Sequence, residues 1–260
     1  KKPHIHLVFK NKKAILNFEH KLILTSHTSG FLDENIRVDE IQSFKKGLWW
    51  IQDFSSSLPI SKIDKNLKNK KIIDLCAAPG GKSFQVMSMG NEIILNDKNL
   101  KRINLMKKNL LRLKFKAKII NKDILEFDKK NKYDFIILDS PCSSIGTIRR
   151  NPEIFFKNHE PNFNYLLDQQ AKLLKKTGDL LNFNGRILYM VCSFFRSETI
   201  DQINYFLKDN KNFALEKLEP NKSIFDYKEL YKNGFIYTLP SKIKGFNIDG
   251  YFGALLKRIK

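Results

Sequence analysis

Ile72-Ile-Asp-Leu-Cys-Ala-Ala-Pro-Gly-Gly-Lys-Ser83 carries the pattern of a strand, a tight loop and a helix start. It begins with a short apolar strand, Ile72–Cys76. It then turns through the loop Ala77–Lys82 and enters a helix for which Ser83 is the expected N-cap. Two glycines let the backbone bend sharply and approach a ligand without a Cβ in the way. A helix start also presents N–H groups that have no partner inside the helix. The loop has neither the Walker lysine–hydroxyl spacing nor the three-glycine dinucleotide fingerprint, so it suggests a ligand without a pyrophosphate. Ordinary βα turns use glycine too, so the rest of the chain has to supply the argument.

Downstream, strand and helix patterns alternate. Glu92–Asn96 reads as the second strand, Lys98–Leu113 as a basic amphipathic helix and Lys118–Asn121 as the third strand. Tyr133–Leu138 is the fourth strand, a near-continuous apolar run suited to burial on both faces. Then follow a helix at Asn164–Leu181, a fifth strand at Arg186–Val191, a helix at Glu198–Lys208 and late strands at Phe213–Leu218 and Tyr251–Lys257. The expectation is an α/β fold: a doubly wound, mostly parallel, seven-stranded Rossmann-like sheet over residues 46–260. Upstream, His4–Phe9, Ala14–Phe18 and Leu22–Thr25 read as short strands before a polar stretch around Gly30. Residues 1–45 are too few to close a core of their own. They are expected to be the last part of a small α+β linking or RNA-binding domain whose beginning is missing, since the chain starts at Lys1 without an initiator Met.

Composition limits the function classes. Hydrophobic residues make up 42% of the 260, enough for a real core, so global disorder is excluded. No apolar run reaches the roughly 18–20 residues of a membrane helix. Lys and Arg number 47 against 27 Asp and Glu, a formal net charge of +20. The bias towards Lys, Asn and Ile accounts for the choice of lysine but not for the lack of balancing acids, so the excess points to a polyanion, most simply nucleic acid. Three cysteines, an odd number, argue against a disulfide framework and for a reducing cytoplasm. His4, His6, His20, His27 and His159 show no metal-ligand spacing, and no metal is expected.

In a doubly wound sheet the ligand lies at the carboxyl ends of the strands. Asp97 follows strand two, 16 residues past Gly81, where an acid can take a ribose diol. Asp123 follows strand three, and Asp139-Ser-Pro-Cys142 closes strand four. Each acid alone suits a cap or a solvated loop; three in phase with successive strand ends indicate a nucleoside-containing cofactor. Cys142 follows strand four and Cys192 strand five, so two thiols 50 residues apart can face one cleft. Two inert buried cysteines would give the same sequence. Cys76 reads as packing. Trp49 and Trp50 are candidates for base stacking, with one of them expected in the core.

Four motifs occur in one order: Asp74-Leu-Cys-Ala-Ala-Pro-Gly-Gly-Lys82, Asp139-Ser-Pro-Cys-Ser-Ser-Ile-Gly-Thr-Ile-Arg-Arg-Asn-Pro-Glu153, Tyr189-Met-Val-Cys-Ser193 and Asp249-Gly-Tyr-Phe252. From about residue 45 to the end, the chain resembles the S-adenosylmethionine-dependent RNA cytosine-5 methyltransferases of the Sun/Fmu type. Within them it is most similar to the bacterial enzymes that act on small-subunit ribosomal RNA. The resemblance implies S-adenosyl-L-methionine as cofactor, with Cys76, Ala77, Ala78, Pro79, Gly80, Gly81 and Lys82 around its methionine part. Asp97 would take the ribose and Asp123 the adenine side. It further implies Asp139 between cofactor and target base, Cys192 as nucleophile and Cys142 as the thiol that assists product release. RNA would be the partner, its cytosine single-stranded or flipped out. Lys82 and, just after the Asp139 motif, Arg149 and Arg150 are candidates for phosphate contacts; solvated surface arginines would give the same sequence. A cytoplasmic monomer is expected. The chain departs from the family at Val191 (usually Thr), Ser140 (often Ala) and Glu198-Thr199 (usually an acid–Asn pair). Val191 lacks a hydroxyl beside Cys192, so the manner of thiol activation stays open. Two other readings also remain open: Cys142 as nucleophile, the arrangement of DNA cytosine-5 methyltransferases, and an RNA-binding assembly factor without turnover.

Overall fold

A computed structural model describes residues 4–260 other than 35, 64–66, 68, 157–161, 221–227 and 244. His159 lies outside the described residues. The first strands are β1 (His6–Phe9), β2 (Leu22–Ser26), β3 (Ser29–Leu32) and β4 (Trp49–Ile51), joined in the order β2-β3-β1-β4. The sheet therefore draws on residues past 45. Two local expectations fail here. Ala14–Phe18 is not a strand: Asn11 accepts a hydrogen bond from Ala14 N at 2.9 Å and caps helix α1 (Lys12–Leu16). The polar stretch around Gly30 is strand β3, paired on both sides. After β4, Asp53 caps α2 (Phe54–Ile60) by accepting from Ser55 N.

The main sheet follows. β5 (Ile72–Asp74), β6 (Ile94–Asn96), β7 (Ile119–Ile120), β8 (Tyr133–Asp139) and β9 (Leu181–Val191) are parallel. β10 (Phe213–Glu216), β11 (Tyr231–Lys232) and β12 (Phe235–Thr238) come next. Beyond a separate hairpin, β13 (Ser241–Ile243) with β14 (Phe246–Ile248), lies β15 (Tyr251–Arg258), antiparallel to β9. The order is β11-β12-β15-β9-β8-β5-β6-β7, with β10 also on β15. The seven expected strands are present, and among the described residues the sheet has nine. β15 is long enough for β12 to pair with its first half and β10 with its second, and β11 extends from β12.

Strand alternation sorts the core into two layers. Ile72, Phe135, Ile137, Leu188 and Met190 face one side, with α3 (Gly81–Ser88) and α4 (Leu100–Leu113) packed over them. Ile73, Ile136, Leu138, Ile187 and Tyr189 face the other, under α5 (Phe163–Asp179) and α6 (Ile200–Asp209). This places helices on both faces and opens a crevice at the strands' carboxyl ends. Ser83 is not a cap. The N-cap of α3 is Gly80, at φ 113°. The Ser83 hydroxyl turns inward and donates to buried Asp74 at 2.6 Å, fixing the loop to β5. Both tryptophans are core rather than base-stacking platforms. Trp49 donates its indole N–H to Ser43 Oγ, Trp50 donates to Gln52 Oε1, and both are almost fully buried. Among the described residues, no helix is long and apolar enough to cross a membrane.

Candidate active site

The carboxyl ends of β5, β6, β8 and β9 converge. The loop after β5 is held from below: Ala77 N donates to Asn96 O at 2.8 Å, and Ala78 N donates to Asp97 Oδ2 at 3.2 Å. Asp97 is buried. Its Oδ2 also meets Arg102 at 3.4 Å, and its Oδ1 accepts from Asn99 N at 2.9 Å. A carboxylate oxygen can accept two hydrogen bonds, so Oδ1 keeps capacity for another donor. A cavity of about 250 Å³ opens here, lined by Cys76, Asp97, Asp123, Ile124, Pro141 and Leu166 among others. A second, of about 150 Å³, lies on the far side of the loop, lined by Gln52, Ala77, Pro79, Gly81, Lys82 and Asp139 among others. Cys76 borders both, and together they reach the size of small-molecule sites, about 300–1,000 Å³. Mostly apolar walls and one buried acid suit a nucleoside at the first; the polar second suits a charged amino-acid end. The residues present therefore fit S-adenosylmethionine. Burial and the neighbouring Asp74 and Asp139 raise the Cys76 thiol far above the ordinary range, so it stays protonated. Asp123 sits at the cavity rim and caps a short 3₁₀ turn by accepting from Leu125 N.

Asp139, the last residue of β8, has each oxygen engaged. Lys82 Nζ lies 2.7 Å from Oδ2, and the Tyr251 hydroxyl donates to Oδ1 at 2.7 Å. Burial works against the Lys82 charge, but Asp139 beside it, together with Cys192 and Asp74, keeps the ammonium above its usual range. The two cysteines do meet: their Sγ atoms are 3.4 Å apart, both as free thiols. The hydrogen bond from Cys142 is the main cause that lowers the pKa of Cys192. Ser144 and Lys82 act in the same direction, while burial and Asp139 oppose it. Cys142, which gives the hydrogen bond and is also buried, is raised well above its usual value. Only the thiolate is reactive, so the pair is asymmetric, with Cys192 the more readily ionised sulfur.

A buried carboxylate missed in the sequence sits beneath the pair. Glu198 Oε2 accepts from the hydroxyls of Ser143 and Ser193, each at 2.5 Å. Its Oε1 accepts from Ser143 N at 2.8 Å and Gln170 Nε2 at 3.0 Å. Each serine directly follows one of the cysteines. Tyr251 was missed as well. Both belong to stretches already singled out, after the nucleophile motif and in Asp249–Phe252, but nothing in their spacing revealed a role. Arg149 and Arg150 are engaged internally. Arg149 Nη2 lies 2.9 Å from Asp249 and 3.2 Å from Asp53, and Arg150 lies 2.6 Å from Asp249. His6 is structural: it bonds Gln52 O and Thr25, and burial lowers its pKa to about 4. No group of three or more His, Cys, Asp or Glu able to hold a metal occurs among the described residues.

Residues 63–257 match the family model for 16S rRNA methyltransferase RsmB/F. A Shewanella oneidensis protein, ribosomal RNA small subunit methyltransferase B, is 35% identical over 73% of this chain and 43% of its own. A Salmonella arizonae protein, ribosomal RNA small subunit methyltransferase F, is 30% identical over 82% of this chain and 45% of its own. Among solved structures, PH0851 superposes with a TM-score of 0.84 at 25% identity, covering 99% of this chain and 60% of that one. The chain spans less than half the length of these curated relatives. It belongs to the 16S rRNA methyltransferase RsmB/F family.

Proposed function

We propose that this family member carries the catalytic part of an enzyme that transfers a methyl group from S-adenosylmethionine to carbon 5 of a cytosine in RNA. Small-subunit ribosomal RNA is the substrate we favour, and Cys192 the nucleophile. The observation that carries this reading is the asymmetric thiol pair beside Asp139. Carbon 5 of cytosine is too poor a nucleophile to attack a methyl donor directly. A Cys192 thiolate adding to carbon 6 pushes electron density onto carbon 5, which splits one hard step into easier ones. Asp139 is our candidate for the contact to ring nitrogen 3, with Lys82 and Tyr251 fixing its orientation. After methylation, a base takes the carbon-5 proton, the C–H electrons re-form the 5,6 double bond, and the carbon-6–sulfur bond breaks to return Cys192 as thiolate; Cys142 assists this release. Cys76–Lys82 and Asp97 would hold the cofactor, with Asp123 at the adenine side; it supplies an electrophilic methyl group on a sulfonium. The target cytosine has to be single-stranded or flipped out to reach this crevice. We assign the enzyme to the cytoplasm, as a monomer that needs no metal. Three free thiols suit that compartment.

Denaturing gels with a cytosine-containing RNA and cofactor test the assignment. Cys192→Ala is expected to abolish methylation and to form no covalent adduct. Cys142→Ala is expected to attack and methylate but release slowly, leaving a denaturation-resistant protein–RNA complex. An adduct that accumulates in Cys192→Ala and vanishes in Cys142→Ala would reverse the roles and favour the DNA-type arrangement.

A further inference from the structure

The positive charge of this chain is concentrated. Residues 98–122 contain ten Lys or Arg and no acid, so 25 of 260 residues carry half of the +20. Compositional bias spread along the chain does not produce such a gap. α4 occupies most of the segment. Its buried stripe, Ile103, Met106, Leu110 and Leu113, is taken up by the core, leaving Lys101, Lys107 and Lys108 on its exposed face. Lys114, Lys116 and Lys118 follow, all exposed, and none of these six lysines has an acidic partner among the described residues. At the crevice end, Lys98 and Arg102 face Asp123 and Asp97. At the other end, Lys116 and Lys118 join Lys70 and Lys71 around a hollow of about 490 Å³ whose one acid is Glu92. Lys45 and Lys46 extend the patch from the N-terminal unit, where Arg112 donates to Phe44 O and Trp49 O.

The fourteen residues of α4 span about 20 Å at 1.5 Å per residue. The lysines therefore trace a track from the rim of the cofactor cavity to the amino-terminal ends of β5 and β6. Successive unpaired ammonium groups without an interleaved acid match a chain of phosphates better than a protein surface, which would call for mixed charge. A lipid surface fits less well. The apolar stripe of α4 is already buried; of the exposed Leu100, Leu105 and Leu111, Leu105 lies about 140° from Leu100, and Asn104 and Lys107 interrupt the face that Leu100 and Leu111 share, so no continuous second stripe forms. We propose that this acid-free segment is a second RNA-docking surface outside the catalytic crevice, which grips the phosphate backbone flanking the target nucleotide. The inference rests on RNA being the substrate.

The test combines Lys107→Gln, Lys108→Gln, Lys116→Gln and Lys118→Gln in one variant of the full chain. The probe is an RNA hairpin with a long stem and a cytosine-containing loop, and affinity is measured between about 50 and 200 mM salt. If each lysine neutralises one phosphate, the log–log salt slope falls by about 3 and affinity at physiological salt falls tenfold or more. Tm, and kcat at saturating RNA, are expected to match the parent. A control variant with Lys130, Lys175, Lys211 and Lys232 each changed to Gln should keep most of the slope. An equal loss in the control would mean diffuse charge and overturn the proposal, as would an unchanged slope in the first variant. Loss of binding to phosphatidylserine vesicles with RNA binding intact would also overturn it, in favour of a lipid surface. If the parent binds and methylates RNA, these outcomes concern the surface alone; if it does neither, the proposed function fails with it.

Discussion

Glu198 determines how two separate loops present their sulfurs. It is fully buried, and it accepts from the residue that follows Cys142 and the residue that follows Cys192. Both hydroxyls reach one oxygen, which a carboxylate accommodates and an amide nitrogen does not. Glu198→Gln should therefore leave at least one buried donor poorly paired, at a cost of about 1–3 kcal/mol. Tm should fall by roughly 5 °C for a domain of this size. Because the clamp positions the thiols, single-turnover adduct formation should slow by about tenfold or more, while cofactor affinity measured by calorimetry stays unchanged. Adduct formation at the parental rate would reduce Glu198 to a packing role. Asp139 differs in kind, since it lines the crevice itself, with Lys82 beside it there and buried Tyr251 behind it.

Between elements, Asp249 joins three segments. It lies just before β15, and its carboxylate pairs with Arg149 and Arg150 from the segment after β8. Arg149 also reaches Asp53, the cap of α2. Burial first, and then the charge of Asp249, raise the pKa of Asp53 to about 6, while both arginines pull it down. The backbone continues the link: Gly250 N donates to Gly146 O at 2.8 Å, and Gly146 N donates to Cys192 O at 3.0 Å. A Cβ on Gly146 would lie 2.0 Å from Gly250 O, so the two loops can approach this closely only with glycine there. Asp249→Asn would leave two guanidinium groups with one remaining acid between them. Breaking the buried Arg149–Asp249 pair costs about 3–5 kcal/mol, with the exposed Arg150 contact adding little, and urea unfolding would register it as a lower midpoint at unchanged slope. A midpoint equal to that of the parent would show the cluster to be dispensable for stability.

For the molecule as a whole, stability should depend on pH through a buried acid. Asp74 ends the central strand β5, and burial is the main cause that raises its pKa from 3.8 to about 7, against the hydrogen bond from Ser83. The unfolded chain releases this proton near pH 4 and the folded protein holds it to about pH 7. Between these values the folded state binds more protons, so stability falls as pH rises and levels off above about 7. Asp74→Asn removes that component. Measured by Tm from pH 5 to 8, the parent should lose stability more steeply than the variant. Parallel curves would mean that Asp74 is already ionised in the folded protein. The +20 charge acts over the same range through self-repulsion, but it is common to both proteins.

The alternation of strands and helices, the glycine loop, and the acids and thiols at strand ends are all legible in the amino-acid order. Local chemistry decides these: apolar runs, β-then-α spacing, and glycine where a side chain would obstruct. The sequence also located the positive charge and the family. It misread Ala14–Phe18, because the cap that turns those residues into a helix is a single hydrogen bond from Ala14 N to the Asn11 side chain. It passed over β11 and β12, whose pairing depends on the length of β15, a partner met only in space. Tertiary structure alone decided that Cys142 and Cys192 lie within 3.4 Å, that Arg149 and Arg150 serve Asp249, and that Glu198 and Tyr251 belong to the site. The cause is the parallel sheet. It brings together the carboxyl ends of strands that are far apart in the chain, so contacts made there have no counterpart in sequence spacing.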